Sequence, residues 1–300
     1  MTIYAPTTCA EDWKWLLAEP ELHWRSGYSA MALARCWEAA RGLPPEIGEL
    51  FTAIGPSPTL LLAVPEHKVP LPGAKRGDSQ NDLFSLVRTS EHTVAVTIEG
   101  KVNEAFDRTL GEWLKGASTG KLERLEYICS LLGLQQPLPD HIHYQLLHRT
   151  ASALIEADRF KTDAAAMVVH SFSQSGKWFA EFRQFAALLG CDLSPGQLGR
   201  ATTATKRPLF VGWAVGNERF LTVPGGGSIG GDMIIAERVN EYVTKRYPEA
   251  ICDACVAKAL KLRHQQANRV TMALGTTSDF DRGGGFCIAC GKDQKVTRRL

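Results

Sequence analysis

Two Cys-x-x-Cys pairs, Cys252/Cys255 and Cys287/Cys290, stand near the C-terminus with 31 residues between them. Four thiolates at that spacing can close a tetrahedral Zn²⁺ site, and a site with four protein ligands leaves no open position for a reaction. The ion is therefore expected to be structural. It would clamp a small C-terminal module and leave any chemistry to the larger remainder. Cys9, Cys36, Cys129 and Cys191 are scattered singly and read as small buried residues.

The boundary between the two parts is expected in Pro224-Gly-Gly-Gly-Ser-Ile-Gly-Gly231, where five glycines in eight residues suit neither helix nor strand. Residues 1–223 are then one domain, 224–231 a hinge and 232–300 the clamped module. The module carries 12 Lys/Arg against 8 Asp/Glu, an excess of +4 in a chain whose total is +2, as expected of the part that meets phosphate. No apolar run approaches the roughly 20 residues that span a bilayer. Nor does a basic-then-apolar leader open the sequence, so a cytoplasmic protein with no membrane partner is expected.

In the larger part, 29–42 reads as a helix capped by Ser29 and stopped by Gly42, Pro44 and Pro45. Strands are expected at 59–64, 83–88 and 93–99, the last two joined by a hairpin loop. Helices follow around 121–134 and 144–157. The continuous apolar run 164–172 suits a strand buried on both faces. A helix over 178–189 and a strand over 208–215 complete the pattern. This order describes an α/β or α+β domain, a mixed sheet flanked by helices.

Asp82 opens the first hairpin strand, and the second ends in Glu99-Gly100-Lys101. Strand alternation puts Glu99 and Lys101 on one face, with Asp82 able to lie beside them on the antiparallel neighbour. Two carboxylates beside a lysine can bind Mg²⁺ (or Mn²⁺) through oxygen while the ion keeps waters. Such an ion polarises a phosphodiester and activates a water. The same residues also admit a structural reading, with Asp82 as a turn residue and Glu99 and Lys101 as a strand-end ion pair.

Asp82 followed by Glu99-x-Lys101 on the next strand resembles the PD-(D/E)XK superfamily, the restriction-endonuclease-like fold, over roughly residues 25–215. Ser29–Glu38, Ile98–Phe106 and Tyr144–Glu156 are also similar to an uncharacterised bacterial set of such domains. Asn81 stands where the signature has proline. The resemblance implies a metal-dependent nuclease with supporting roles for Glu38, on the helix before the sheet, and for Gln145, with His148 and Arg149 on the helix after it. Glu38 also reads as a surface residue, the Gln145 group as structural hydrogen bonding, and His170 as a core histidine.

In the clamped module, a helix is expected over 232–247 and two short helices over 252–260 and 263–274, then a hairpin whose tip carries the second cysteine pair. Ala267, Val270 and Leu274 would face inward and Arg263, His264, Gln266 and Arg269 outward, as in a recognition helix. The module resembles a zinc-stabilised winged helix-turn-helix. Together these readings imply a Mg²⁺-dependent endodeoxyribonuclease of bacterial defence or DNA processing, delivered to DNA by the module. Cutting both strands would favour a homodimer. The alternatives are a non-catalytic DNA-binding regulator and a subunit docked in a defence complex.

Overall fold

The structure is a computed structural model that describes residues 7, 9–17, 20–73, 78–222, 235–276 and 279–300. Two compact units emerge: Glu19–Pro224 together with Met1–Ala5, and Gly225–Leu300 together with Pro6–Ala18. No residue pattern in 6–18 signals its assignment to the second unit. The hinge expected at 224–231 lies outside the described residues. Among the described residues no helix is long and apolar enough to cross a membrane.

The first unit begins with α1 (Pro20–His23), α2 (Ser29–Ala40) and α3 (Pro45–Phe51). The meander β1 (Thr59–Val69), β2 (Ser79–Arg88) and β3 (Thr93–Lys101) follows, then α4 (Leu110–Leu114), α5 (Thr119–Leu132) and α6 (Tyr144–Phe160). It ends with β4 (Ala164–Ser171), α7 (Phe179–Leu188), β5 (Leu198–Arg200) and β6 (Leu209–Val215). One mixed sheet runs β1-β2-β3-β4-β6-β5. β3, β4 and β6 are parallel neighbours, and β1 and β2 join antiparallel at one edge. Every residue of β4 is buried, which is why its sequence is apolar without alternation. Pro65 is tolerated inside β1 because that strand is an edge.

α2 departs from expectation at its cap. Tyr28 is the capping residue and Ser29 the first helical one, and the Ser29 N–H donates to Glu104 Oε1 at 2.7 Å. Glu104 also accepts from the N–H groups of Val102 and Asn103. A carboxylate from the loop after β3 thus does what the sequence assigned to Ser29, and it suits the positive end of the helix.

The second unit contains a 3₁₀ helix (Ala10–Leu16), α8 (Ile235–Thr244), β7 (Ile251–Cys252), α9 (Asp253–Leu260), α10 (His264–Leu274), β8 (Phe280–Phe286) and β9 (Asp293–Arg299). Its sheet runs β7-β9-β8. Val239, Val243, Val256, Ala267, Leu274 and Val296 form its core.

Arg282 and Asp253, only 7% and 8% exposed, form a bidentate pair at 2.8 and 2.7 Å. Asp253 also accepts from Thr271 and Asn268, and Arg282 also donates to Thr297. Burial opposes ionisation of Asp253, but these donors, Arg282 foremost, hold its pKa down to about 2. Asp253→Ala leaves Arg282 buried and unpaired and is expected to cost about 3–5 kcal/mol, measured as a shift in the urea unfolding of the second unit.

Candidate functional site

The first site is built where two strands part. β2 and β3 pair from Arg88↔Thr93 as far as Leu83↔Ile98 and no further. Beyond that point β2 stays on β1 to Val69↔Ser79, and β3 stays on β4 to Lys101↔Ser171. Asp82 sits at the opening, and its Oδ2 accepts the Gly100 N–H at 2.8 Å, taking over a donor that the ladder has released.

Glu99 and Lys101 lie beside it. Lys101 Nζ donates to Glu99 Oε1 at 2.6 Å and Gln145 Nε2 to the same oxygen at 2.8 Å, while Arg149 Nε donates to Glu99 Oε2 at 2.8 Å. Gln145 Oε1 lies 3.4 Å from Lys101 Nζ and also accepts the Asp107 N–H. Gln145 and Arg149 are one turn apart on α6, so one helix face delivers both. His148 binds Ser79 Oγ at 2.7 Å, and Ser79 in turn lies 3.4 Å from Arg149 Nη1. His148 supports the cluster without touching Glu99. Burial, then Arg149 and Arg124, hold it neutral, well below the usual histidine range.

A third carboxylate joins them. Glu66, in the edge strand, has a left-handed backbone at φ 54°, and its Oε2 accepts from Gln80 Nε2 at 2.5 Å. A non-glycine residue held in that region costs on the order of 1–3 kcal/mol, and such strain gathers at functional sites. Burial and then Asp82 push the Glu66 pKa up to about 8, and burial and then Glu99 push Asp82 up to about 7. Burial alone would raise Glu99 too, but Lys101 and Arg149 outweigh it and hold that carboxyl below its ordinary range. The expected strand stopped at Val64, short of Glu66. Pro65 was the available signal, since a proline inside an apolar run marks an edge or bulge.

Glu38 stands elsewhere. A side chain on Gly100 would meet Asp82 Oδ2 together with Ser29 and Leu33 of α2, and Trp37 Nε1 donates to Nδ1 of His170, the register partner of Gly100. α2 therefore covers the sheet face opposite the one that Glu99 and Lys101 share with α6. Glu38 is also nine residues, about 13 Å of helix, beyond Ser29. Glu38 lies on the helix before the sheet, and the face and height of that position separate it from the cluster.

Behind α2, Cys36, Glu46 and His170 bring their ligand atoms within 4.8 Å of one another. Hydrogen bonding fixes their states. The Trp37 indole can only donate, so His170 Nδ1 accepts, and its proton sits on Nε2 facing Glu46 Oε1 at 3.0 Å. The Cys36 thiol donates to the same oxygen at 3.3 Å. Burial, and then Glu46, raise the Cys36 pKa far above its usual value. A protonated thiol and a protonated Nε2 are poor ligands, so this cluster reads as a buried polar staple, with His170 as a satisfied core histidine.

In the second unit the sulfurs of Cys252, Cys255, Cys287 and Cys290 lie within 4.8 Å of one another. The Cys252–Cys290 separation of 3.9 Å matches the edge, about 3.8 Å, of a tetrahedron with metal–sulfur arms of about 2.3 Å. The donor set fits a structural zinc. Burial opposes ionisation of Cys287, but the N–H groups of Cys252, Cys290 and Ala289 outweigh it and bring its pKa to about 6. The second pair sits between β8 and β9, at the tip of the hairpin, as expected.

Arg263, which caps α10, and His264 and Arg269 on the helix are exposed, in agreement with the expected outward face. Gln266 is not. It is half-buried, and its Oε1 accepts the Arg263 N–H at 3.0 Å, closing the helix cap. Gln265, Arg269 and Met272, at i, i+4 and i+7, form the exposed stripe instead.

A family described as a domain of unknown function (DUF6946) matches residues 6–218. No curated protein and no solved structure matches the chain.

Proposed function

The chain belongs to this DUF6946 family, which brings no activity with it, and we propose that it is a Mg²⁺-dependent endodeoxyribonuclease carried to DNA by a zinc-clamped winged helix. One observation carries the hydrolytic half. The sheet splits at Asp82 and Glu99, and at the split three carboxylates meet one lysine and one arginine. The element order helix, three-strand meander, helix, parallel strand supports the resemblance to restriction-endonuclease-like domains.

The donor set suits a hard cation. Burial and the charge of Glu99 push Asp82 up towards neutrality, and burial and the charge of Asp82 push Glu66 up, the field that a divalent ion would relieve. Asp82 and Glu99 would hold Mg²⁺, with Glu66 beside them. When bound, such an ion polarises the phosphodiester and makes water a stronger nucleophile at neutral pH.

The chain's own groups do the rest. Lys101 presents a compact charge where negative charge grows on the phosphate oxygens, as water oxygen bonds to phosphorus and the bond to the departing sugar oxygen breaks. Gln145 and Arg149 fix the Glu99 carboxylate, one on each oxygen. Arg149 also keeps that carboxylate ionised.

For the second unit, the order α8-β7-α9-α10-β8-β9 and the sheet β7-β9-β8 support a winged helix-turn-helix with α10 as the recognition helix. Exposed Arg263, His264, Gln265 and Arg269 supply groups that meet base edges and phosphates.

A second reading has its own support. Glu99 and Lys101 are only 2% and 4% exposed, and three donors already engage the carboxylate, as in a buried structural network. That favours a non-catalytic DNA-binding regulator with a nuclease-like domain. Incubation of the full chain with plasmid DNA separates the two. The nuclease reading expects cleavage that requires Mg²⁺ or Mn²⁺ and disappears in Glu99→Ala. DNA binding with no cleavage in either ion leaves the regulator.

A further inference from the structure

The hairpin tip of the second unit carries the inference. Phe286 is 63% exposed and Ile288 49%, in a unit whose other apolar side chains mostly form its core. Both flank Cys287. The tip is not loose, because Cys287 N–H donates to Lys292 O, Gly291 N–H to Cys287 O and Ile288 N–H to Ala250 O. The ring of Phe286 extends towards Gly291, where a side chain would meet its Cζ at 3.7 Å.

Beside that ring the strand surface is bare. Phe286 and Gly284 share a face of β8, and a side chain at Gly284 would meet nothing within 4 Å. Lys295 stands opposite Gly284, and Lys292 follows at the tip. Both are exposed and have no ion-pair partner among the described residues. A rigid aromatic ring, a side-chain-free position two residues along its face and two ammonium groups beside it match a stacked base on a phosphate backbone. Exposed Asp293 stands opposite Phe286, so the tip carries two lysines against one acid and keeps a net positive charge, which a phosphate backbone would meet and a protein partner of ordinary composition would not require.

We propose that this tip is a stacking platform for unpaired nucleobases, with Phe286 as the stacking residue and Lys292 and Lys295 on the flanking phosphates. Single-stranded DNA, or an unpaired stretch within duplex, is then the module's preferred ligand. The proposal rests on the DNA-binding half of the reading above and is independent of the cleavage half.

The test is fluorescence anisotropy with the full zinc-loaded chain, without Mg²⁺ and at low salt. Its ligands are a short oligothymidylate, an abasic oligomer of equal length and a blunt duplex. Phe286→Ala is expected to weaken oligothymidylate binding roughly 5- to 150-fold, the range one base–aromatic stack is worth. Duplex and abasic binding should change less than about twofold, and zinc content and circular dichroism should stay those of the wild type. Phe286→Trp should keep the affinity and show indole quenching on binding. Equal oligothymidylate affinities for wild type and Phe286→Ala, or the same loss on the abasic strand, would overturn the platform alone. A wild type that ignores all three ligands would overturn the platform and the DNA-binding reading together, leaving the tip to a protein partner.

Discussion

Asp82→Asn is expected to lose DNA cleavage by on the order of a thousandfold or more, yet to be more stable than the wild type above neutral pH when no divalent ion is present. The two effects share one cause. In the folded chain burial and then Glu99 push Asp82 up to about 7, and burial and then Asp82 push Glu66 up to about 8. Between the ordinary carboxylate range and those values, the folded protein holds protons that the unfolded chain has released. Folding stability therefore falls as pH rises through that window, by up to about 1.4 kcal/mol per pH unit for each group. Below the ordinary range both states are protonated and the difference vanishes.

Asparagine keeps an oxygen to accept the Gly100 N–H and adds no charge. The variant should therefore lose the Asp82 share of that slope and also relieve Glu66. Thermal melts from pH 5 to about pH 8 check the sign, and a plasmid assay checks the rate. Added Mg²⁺ should raise the melting temperature of the wild type at the alkaline end and leave the variant unmoved, because only a ligand bound to the native state stabilises it. Undiminished cleavage, or a variant that melts lower than the wild type at the alkaline end, would refute the shared cation site.

The other large effect belongs to the cysteine cluster. Structural zinc binding is worth about 10–16 kcal/mol in small zinc modules, as much as or more than the about 5–15 kcal/mol that holds an ordinary domain folded. Removing the ion with a chelator, or replacing Cys287 by serine, is therefore expected to unfold residues 235–300 while residues 20–222 stay folded. Cys287 is the informative ligand, since its pKa of about 6 makes it a thiolate at neutral pH before any ion arrives. Amide hydrogen exchange resolves the outcome: protection should vanish over α8–α10 and β7–β9 and persist over β3, β4 and α6. Full protection of the second unit in Cys287→Ser would show that its core of Val239, Val243, Val256 and Leu274 suffices without metal.

Much of this was written in the chain. Apolar runs and breakers located the helices expected at 29–42 and 144–157, which run Ser29–Ala40 and Tyr144–Phe160, and every strand of the first sheet except the short β5. Cysteine spacing located the knuckles, and alternation put Glu99 and Lys101 on one face. Those features follow from backbone periodicity and from ligand chemistry, which operate over a few residues.

What only the tertiary structure decided depends on which element lies across from which. Glu66 joined the acids because an edge strand turned left-handed at that residue. Glu38 left them because α2 covers the opposite face of the sheet. Gln266 spent its side chain on the cap of its own helix, and Glu104 crossed to cap α2. A local pattern says which side chains share a face. Register, layer order and competition for hydrogen-bond donors determine what that face meets, and those are set by the fold as a whole.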